Sequence, residues 1–168
     1  MSGAERIRVF LGALLAIFIC LLGTTPLLHH MPFPLTDTWP IAVFLFALSC
    51  ARLSMSIWAA VLIVMVGLVQ DFVLEAPLGA WSFAGLCAYA AGLIAKDSFK
   101  AMAATIPSQL VLLVAGSIVG IFALSIAGDI AGGADVLDAP LWSDLVLTAG
   151  LYYLVTPLFA PYKGGLSS

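Results

Sequence analysis

Charge is the scarcest property of this chain. Of 168 residues, 6 are Lys or Arg and 9 are Asp or Glu, so 9% are charged, against about 25% in a soluble domain. Six scattered basic residues make no patch for nucleic acid. Metal-ligating and redox groups are equally thin. Cys20, Cys50 and Cys87 each sit inside an apolar run, with neither the spacing of a metal site nor a pairing pattern. His29 and His30 are adjacent and lack spaced partners. The sequence has no glycine-rich phosphate loop and no Gly-x-Ser-x-Gly elbow. Ser98 and Lys100 stand two apart and cannot share a helical face. An intramembrane proton relay needs several ionisable residues at depth, and the apolar runs here hold almost none. These absences leave no constellation for catalysis and imply no cofactor, so a non-enzymatic protein is expected.

Apolar residues fill the space that charge leaves: 63% of the chain is hydrophobic. A small soluble domain exposes too much of its surface to hide that share. Lipid is therefore the expected solvent, and the expected fold is all-α, a polytopic membrane helical bundle. A spanning helix needs about 20 mostly apolar residues. By that measure the chain reads as six spans in a single transmembrane domain, 1–168, at roughly 9–28, 39–51, 54–70, 77–95, 101–127 and 141–160. The first follows Arg6 and Arg8, lacks a small-x-small cleavage site, and reads as a retained helix rather than a signal peptide.

The basic residues support this count. Arg6 and Arg8 precede span one, Arg52 lies between spans two and three, Lys96 and Lys100 between four and five, and Lys163 after six. All fall on one side, and the positive-inside rule places both termini in the cytoplasm, in a cell inner membrane. The opposite loops carry acids instead, among them Asp71, Glu75, Asp129, Asp135 and Asp138. Trp39, Trp81 and Trp142 fall at outer span ends, where tryptophan is favoured. The longest loop, 128–140, is too short to fold independently, so recognition must use the bundle and its loops.

Small residues form two further patterns. Ala76, Ala80, Ala84, Ala88 and Gly92 recur every four residues in span four, and Gly116 and Gly120 form Gly-x-x-x-Gly in span five. Such stripes let helices approach closely in lipid. They serve either packing within the bundle or a partner's helix. Gly12 and Ala16 repeat the spacing in span one.

The most distinctive stretch is GLVQDFVLEAPLGAWSF, Gly67 to Phe83. Asp71 reads as an outer-turn carboxylate at the end of span three. Pro77 suits the first turn of the next helix, Gly79 permits close approach, and Glu75 sits favourably before a helix N-terminus. Gly67-Leu68-Val69-Gln70-Asp71, a short spacer, Pro77-Leu78-Gly79 and an apolar run reaching Ala88-Tyr89 resemble the signature region of the MreD family, the rod shape-determining membrane proteins of bacteria. About 25 residues match closely, and chain length and span number agree with the rest. Trp39-Pro40 before an apolar span is also similar, without the acidic residue often found just after that proline.

The resemblance implies a non-enzymatic subunit of the cell-elongation machinery. Its partners would be MreC most directly, then the glycosyltransferase RodA and the elongation transpeptidase, with the actin-like MreB reached indirectly, all directing lateral peptidoglycan synthesis. It also implies a fold similar to the substrate-binding subunits of energy-coupling-factor transporters. Gly67, Asp71, Pro77, Leu78 and Gly79 are then the residues that shape the outer end of spans three and four, with Asp71 bonding the neighbouring loop or facing a cavity. A small-molecule-binding transporter subunit is the competing reading. It needs convergent polar groups, and the spans offer Ser56, Gln70, Ser82, Ser117 and Thr148.

Overall fold

The structure is a computed structural model, and it describes residues 3–23, 41–53, 55–98, 108–130 and 141–155. Among these residues there are six helices and no strand: α1 (Gly3–Gly23), α2 (Ala42–Ala51), α3 (Ile57–Val73), α4 (Ala80–Ser98), α5 (Ser108–Ile130) and α6 (Leu141–Val155). The described residues thus form an all-helical bundle. The expected span ends at 24–28, 39–40, 101–107 and 156–160 lie outside the described residues, as do His29, His30, Trp39, Pro40 and Lys163.

Helix α2 is the axis of the bundle. Its 10 residues, AVFLFALSCA, carry no charge, glycine or proline, and every one is buried. A helix that is apolar all round has no solvent face, and α2 accordingly contacts each of the other five helices. Its one hydroxyl is satisfied within the helix, because Ser49 Oγ donates to the Leu45 carbonyl at 2.6 Å. Helix α4 packs along both α5 and α3, and α1 closes the other flank against α3 and α2. The buried face of α1 reads Val9, Ala13, Ala16 and Cys20, a helical spacing. Its other face exposes Phe10, Leu14, Phe18 and Leu21, and α5 exposes Val114, Ile118, Phe122 and Ile130.

Among the described residues one helix, Val111–Ile130, has the length and hydropathy to cross a membrane by itself, at 20 residues and mean hydropathy 2.4. Three shorter apolar helices accompany it: Ala42–Ala51, Ile57–Val73 and Asp144–Val155.

The ends of the bundle differ in charge. Cys20, near the end of α1, lies 4.0 Å from Gln70, near the end of α3. Lys96 reaches Arg52 and Leu53 at the opposite end. Arg6, Arg8, Arg52 and Lys96 therefore share one end, and Asp71 and Glu75 lie at the other.

Several expected boundaries move, each for a local reason. Helix α3 runs three residues past Gln70, so Asp71 is in its last turn and not in a loop. Helix α4 starts at Ala80, so Pro77 precedes it instead of occupying its first turn. The chain reverses through Glu75, at φ 52°, and Gly79, at φ 93°. Glu75, just past the C-cap of α3, takes a left-handed conformation that stops that helix, and Gly79 at positive φ turns the chain into α4. Gly79 needs its missing Cβ for that reason.

Gly67 needs it for another. A Cβ there would meet the Ser82 backbone of α4, with its amide nitrogen only 2.6 Å away. The α3–α4 crossing is therefore a backbone-to-backbone contact, pinned by Ser82 Oγ donating to the Val64 carbonyl at 3.0 Å. Gly67→Ala is expected to lower stability by about 1–3 kcal/mol through overpacking. Gly150→Ala, where nothing lies within 4 Å, should be neutral or stabilising by up to about 1 kcal/mol. Unfolding of the two variants in mild detergent measures the contrast.

Candidate functional site

A helix begins with four backbone N–H groups that have no intrahelical partner. In α4 the first intrahelical acceptor is the Gly79 carbonyl, which takes the Phe83 N–H at 2.8 Å. Gly79 therefore occupies the N-cap, a position usually held by Ser, Thr, Asp or Asn. A glycine offers no capping oxygen. Asp71, eight residues earlier and on another helix, supplies both of its own. The Gly79 N–H donates to Asp71 Oδ2 at 2.8 Å, and the Trp81 N–H donates to Asp71 Oδ1 at 2.9 Å.

This arrangement explains how a carboxylate can be 1% exposed in an apolar bundle. Burying an unpaired charge costs several kcal/mol. Two charge-assisted bonds and the positive end of the α4 dipole offset that cost. Three further N–H groups of the corner are satisfied locally. The Leu74 N–H donates to the Gln70 carbonyl, Ala76 to Asp71, and Ala80 to Pro77, each at 3.0 Å. Pro77 has no N–H to satisfy. Gly67, Asp71, Pro77, Leu78 and Gly79 thus sit at one corner of the bundle, with Asp71 buried and Leu78 exposed.

Gln70 does the same for a second helix. Its Oε1 accepts the Val43 N–H at 3.0 Å, in the first turn of α2. Adjacent helical residues point about 100° apart, so Gln70 and Asp71 address different neighbours. Thr148 of α6 completes the α2 cap. Its Oγ1 accepts the Ile41 N–H at 2.8 Å and donates to the Asp144 carbonyl at 2.6 Å.

The opposite end follows the same logic. Lys96 Nζ donates to the Arg52 and Leu53 carbonyls at 2.8 and 2.7 Å, just past the C-terminus of α2. A cation there also complements the helix dipole. The Ser56 N–H, at the start of α3, donates to the Tyr89 hydroxyl at 3.2 Å. Gln70, Ser82 and Thr148, which the sequence offers as pocket-lining groups, are therefore engaged with backbone. Sequence reasoning does not identify Gln70, Thr148 and Lys96 as caps. The available signal is their polarity at the ends of apolar runs.

The small-residue stripes face inward. Ala80, Ala84, Ala88 and Gly92 are buried on α4. On α5, a Cβ at Gly116 would meet Leu48, and one at Gly120 would meet the Phe44 ring at 2.6 Å. These glycines seat large α2 side chains. Phe44 in turn stacks edge-on against Trp81, with centroids 5.9 Å apart, tying the axis to the capped start of α4.

Among the described residues, no three of His, Cys, Asp and Glu converge as a metal site would require. No protein family, curated protein or solved structure matches this chain.

Asp71→Ala removes both acceptors and strands two N–H groups, and it should cost about 2–4 kcal/mol. Asp71→Asn retains one carbonyl oxygen and should cost roughly half as much. Chemical unfolding of the three proteins checks the order. A change below about 0.5 kcal/mol for both would instead mark Asp71 as an ordinary surface carboxylate.

Proposed function

We propose that this chain is a multi-pass inner-membrane protein of the MreD kind, with both termini cytoplasmic. In this reading it is a non-enzymatic subunit of the bacterial cell-elongation complex. It holds MreC beside RodA and the elongation transpeptidase, and through them couples to MreB.

The observation that carries the reading is the α3–α4 corner. The residues of the MreD-like motif are not scattered over the bundle. Gly67 sets the helix crossing, Asp71 caps α4, Pro77 accepts the Ala80 N–H and Gly79 forms the turn. A motif whose members build one corner is better suited to a shaped contact surface than to catalysis, because both Asp71 oxygens are committed to backbone.

Membrane residence is supported by three features. Large apolar side chains are exposed along α1 and α5, α5 is long enough to span, and the described basic residues gather at one end. In hydrocarbon every backbone polar group needs an internal partner, and side chains from neighbouring helices supply that need at the ends of α2, α3 and α4. Helices shorter than a span, such as α2, fit a bundle in which longer neighbours set the thickness.

Two measurements on the host cell test the proposal. Gentle solubilisation of its membranes should bring MreC down with this protein, and depletion should turn rods into rounded cells. Absence of MreC from the purified material together with an unchanged rod shape would sink the reading. Asp71→Ala should reduce the recovered MreC several-fold at equal protein level, since a destabilised corner presents a less defined surface.

A further inference from the structure

Helix α6 is held differently from its neighbours. Each of α1, α3, α4 and α5 packs against α2 and against at least one further helix. Among the described helices α6 packs substantially against α2 alone. Of its described side chains Thr148 and Tyr152 are buried, and Leu145 and Val155 lie partly buried against the core. Positions 145, 148, 152 and 155 make a single helical stripe. The other side of α6 is open. Val146 and Leu154 are each 74% exposed, and a Cβ at Gly150 would meet nothing within 4 Å.

The surrounding medium decides how firmly one stripe holds. Lipid tails are as apolar as the core, so no hydrophobic drive joins helices in a bilayer; dispersion packing and hydrogen bonds remain. The bond from the Ile41 N–H to Thr148 Oγ1, at 2.8 Å, therefore weighs heavily in the α2–α6 contact. Its release is asymmetric. The Thr148 hydroxyl keeps its own hydrogen on the Asp144 carbonyl of the same helix, so the cost falls on the Ile41 N–H. The bonds that Gln70, Asp71, Ser82, Tyr89 and Lys96 make among α2, α3 and α4 involve no atom of α6. A departure of α6 leaves them in place. Regions with few packing neighbours open at lower free energy than the rest of a protein.

We propose that α6 is the movable wall of the bundle. It swings from α2 as a unit while α1 to α5 stay together. The Thr148–Ile41 hydrogen bond is its latch, and the opening gives bilayer lipid lateral access to α2. The proposal rests on the multi-pass membrane reading above.

The test measures distances between spin labels by pulsed electron paramagnetic resonance, on the full chain in phospholipid bilayers. Cys20, Cys50 and Cys87 are first replaced by alanine. Labels at Val146→Cys and Met65→Cys report α6 against α3, and labels at Ile118→Cys and Met65→Cys report α5 against α3; all three sites are exposed. The expected result is a main α6 distance with a longer one in a minority of molecules, and a single α5 distance. Thr148→Val keeps the shape and removes the acceptor. It should raise the ratio of long to short α6 distances about threefold or more and leave the α5 distance unchanged. Thr148→Ser, which keeps the hydroxyl, should stay near the parent. A single α6 distance that Thr148→Val leaves unchanged overturns the proposal. So does an equal rise with Thr148→Ser, or an α5 distance that spreads together with that of α6, since the whole bundle is then loose. A chain that does not insert into the bilayers overturns the membrane reading and the proposal with it, before any distance is measured.

Discussion

The bundle depends on one constraint: a helix that ends among apolar side chains still has backbone groups to satisfy. Water does this at the surface of a soluble protein. Here the ends of α2, α3 and α4 are served by side chains from other helices. Asp71 of α3 caps α4, Gln70 of α3 and Thr148 of α6 cap α2, and Tyr89 of α4 caps α3. Lys96 of α4 closes the far end of α2. Each bond both satisfies a polar group and fixes one helix against another. The few polar residues of the chain thereby set the register of a core whose apolar surfaces are non-directional.

That division of labour accounts for the composition of the helices. Helix α2 can be uniformly apolar because its polar requirements are met from outside. Glycine can stand at the α4 N-cap because the capping oxygens arrive from Asp71, and the turn requires glycine's conformation at φ 93°. Small residues on α4 and α5 then admit Leu48 and Phe44 of α2. The capped corner, the close crossing at Gly67 and the Phe44–Trp81 contact are successive layers of one assembly.

Much of this was legible in the sequence. Six helices fall where six apolar runs lie, because run length and helix length obey the same geometry. The four-residue period of the small-residue stripes marks one helical face, and the structure turns that face inward on α4 and α5. The stretch from Gly67 to Phe83, the most distinctive in the sequence, forms the corner where Asp71 meets the start of α4. What could not be read was the reach of single side chains. Asp71 looked like an affair of the water interface because its partners, Gly79 and Trp81, are backbone groups and leave no mark in residue identity. Gln70, Thr148 and Lys96 escaped notice as caps for the same reason. Pro77 and Glu75 were placed one turn too close to α4, since nothing in the composition distinguishes a turn closed by Asp71 from an ordinary helix start.

The central claim is that Asp71 holds the first turn of α4 from another helix. Amide hydrogen exchange of the full chain in lipid bilayers tests it most directly, because exchange reports each N–H individually. The account predicts that the Gly79 and Trp81 amides are strongly protected in the parent chain. It predicts that Asp71→Ala speeds both by about tenfold or more, while the Ile41 and Val43 amides, held by Thr148 and Gln70, keep their rates. Rapid exchange of Gly79 and Trp81 in the parent, or rates unchanged by the substitution, would contradict it.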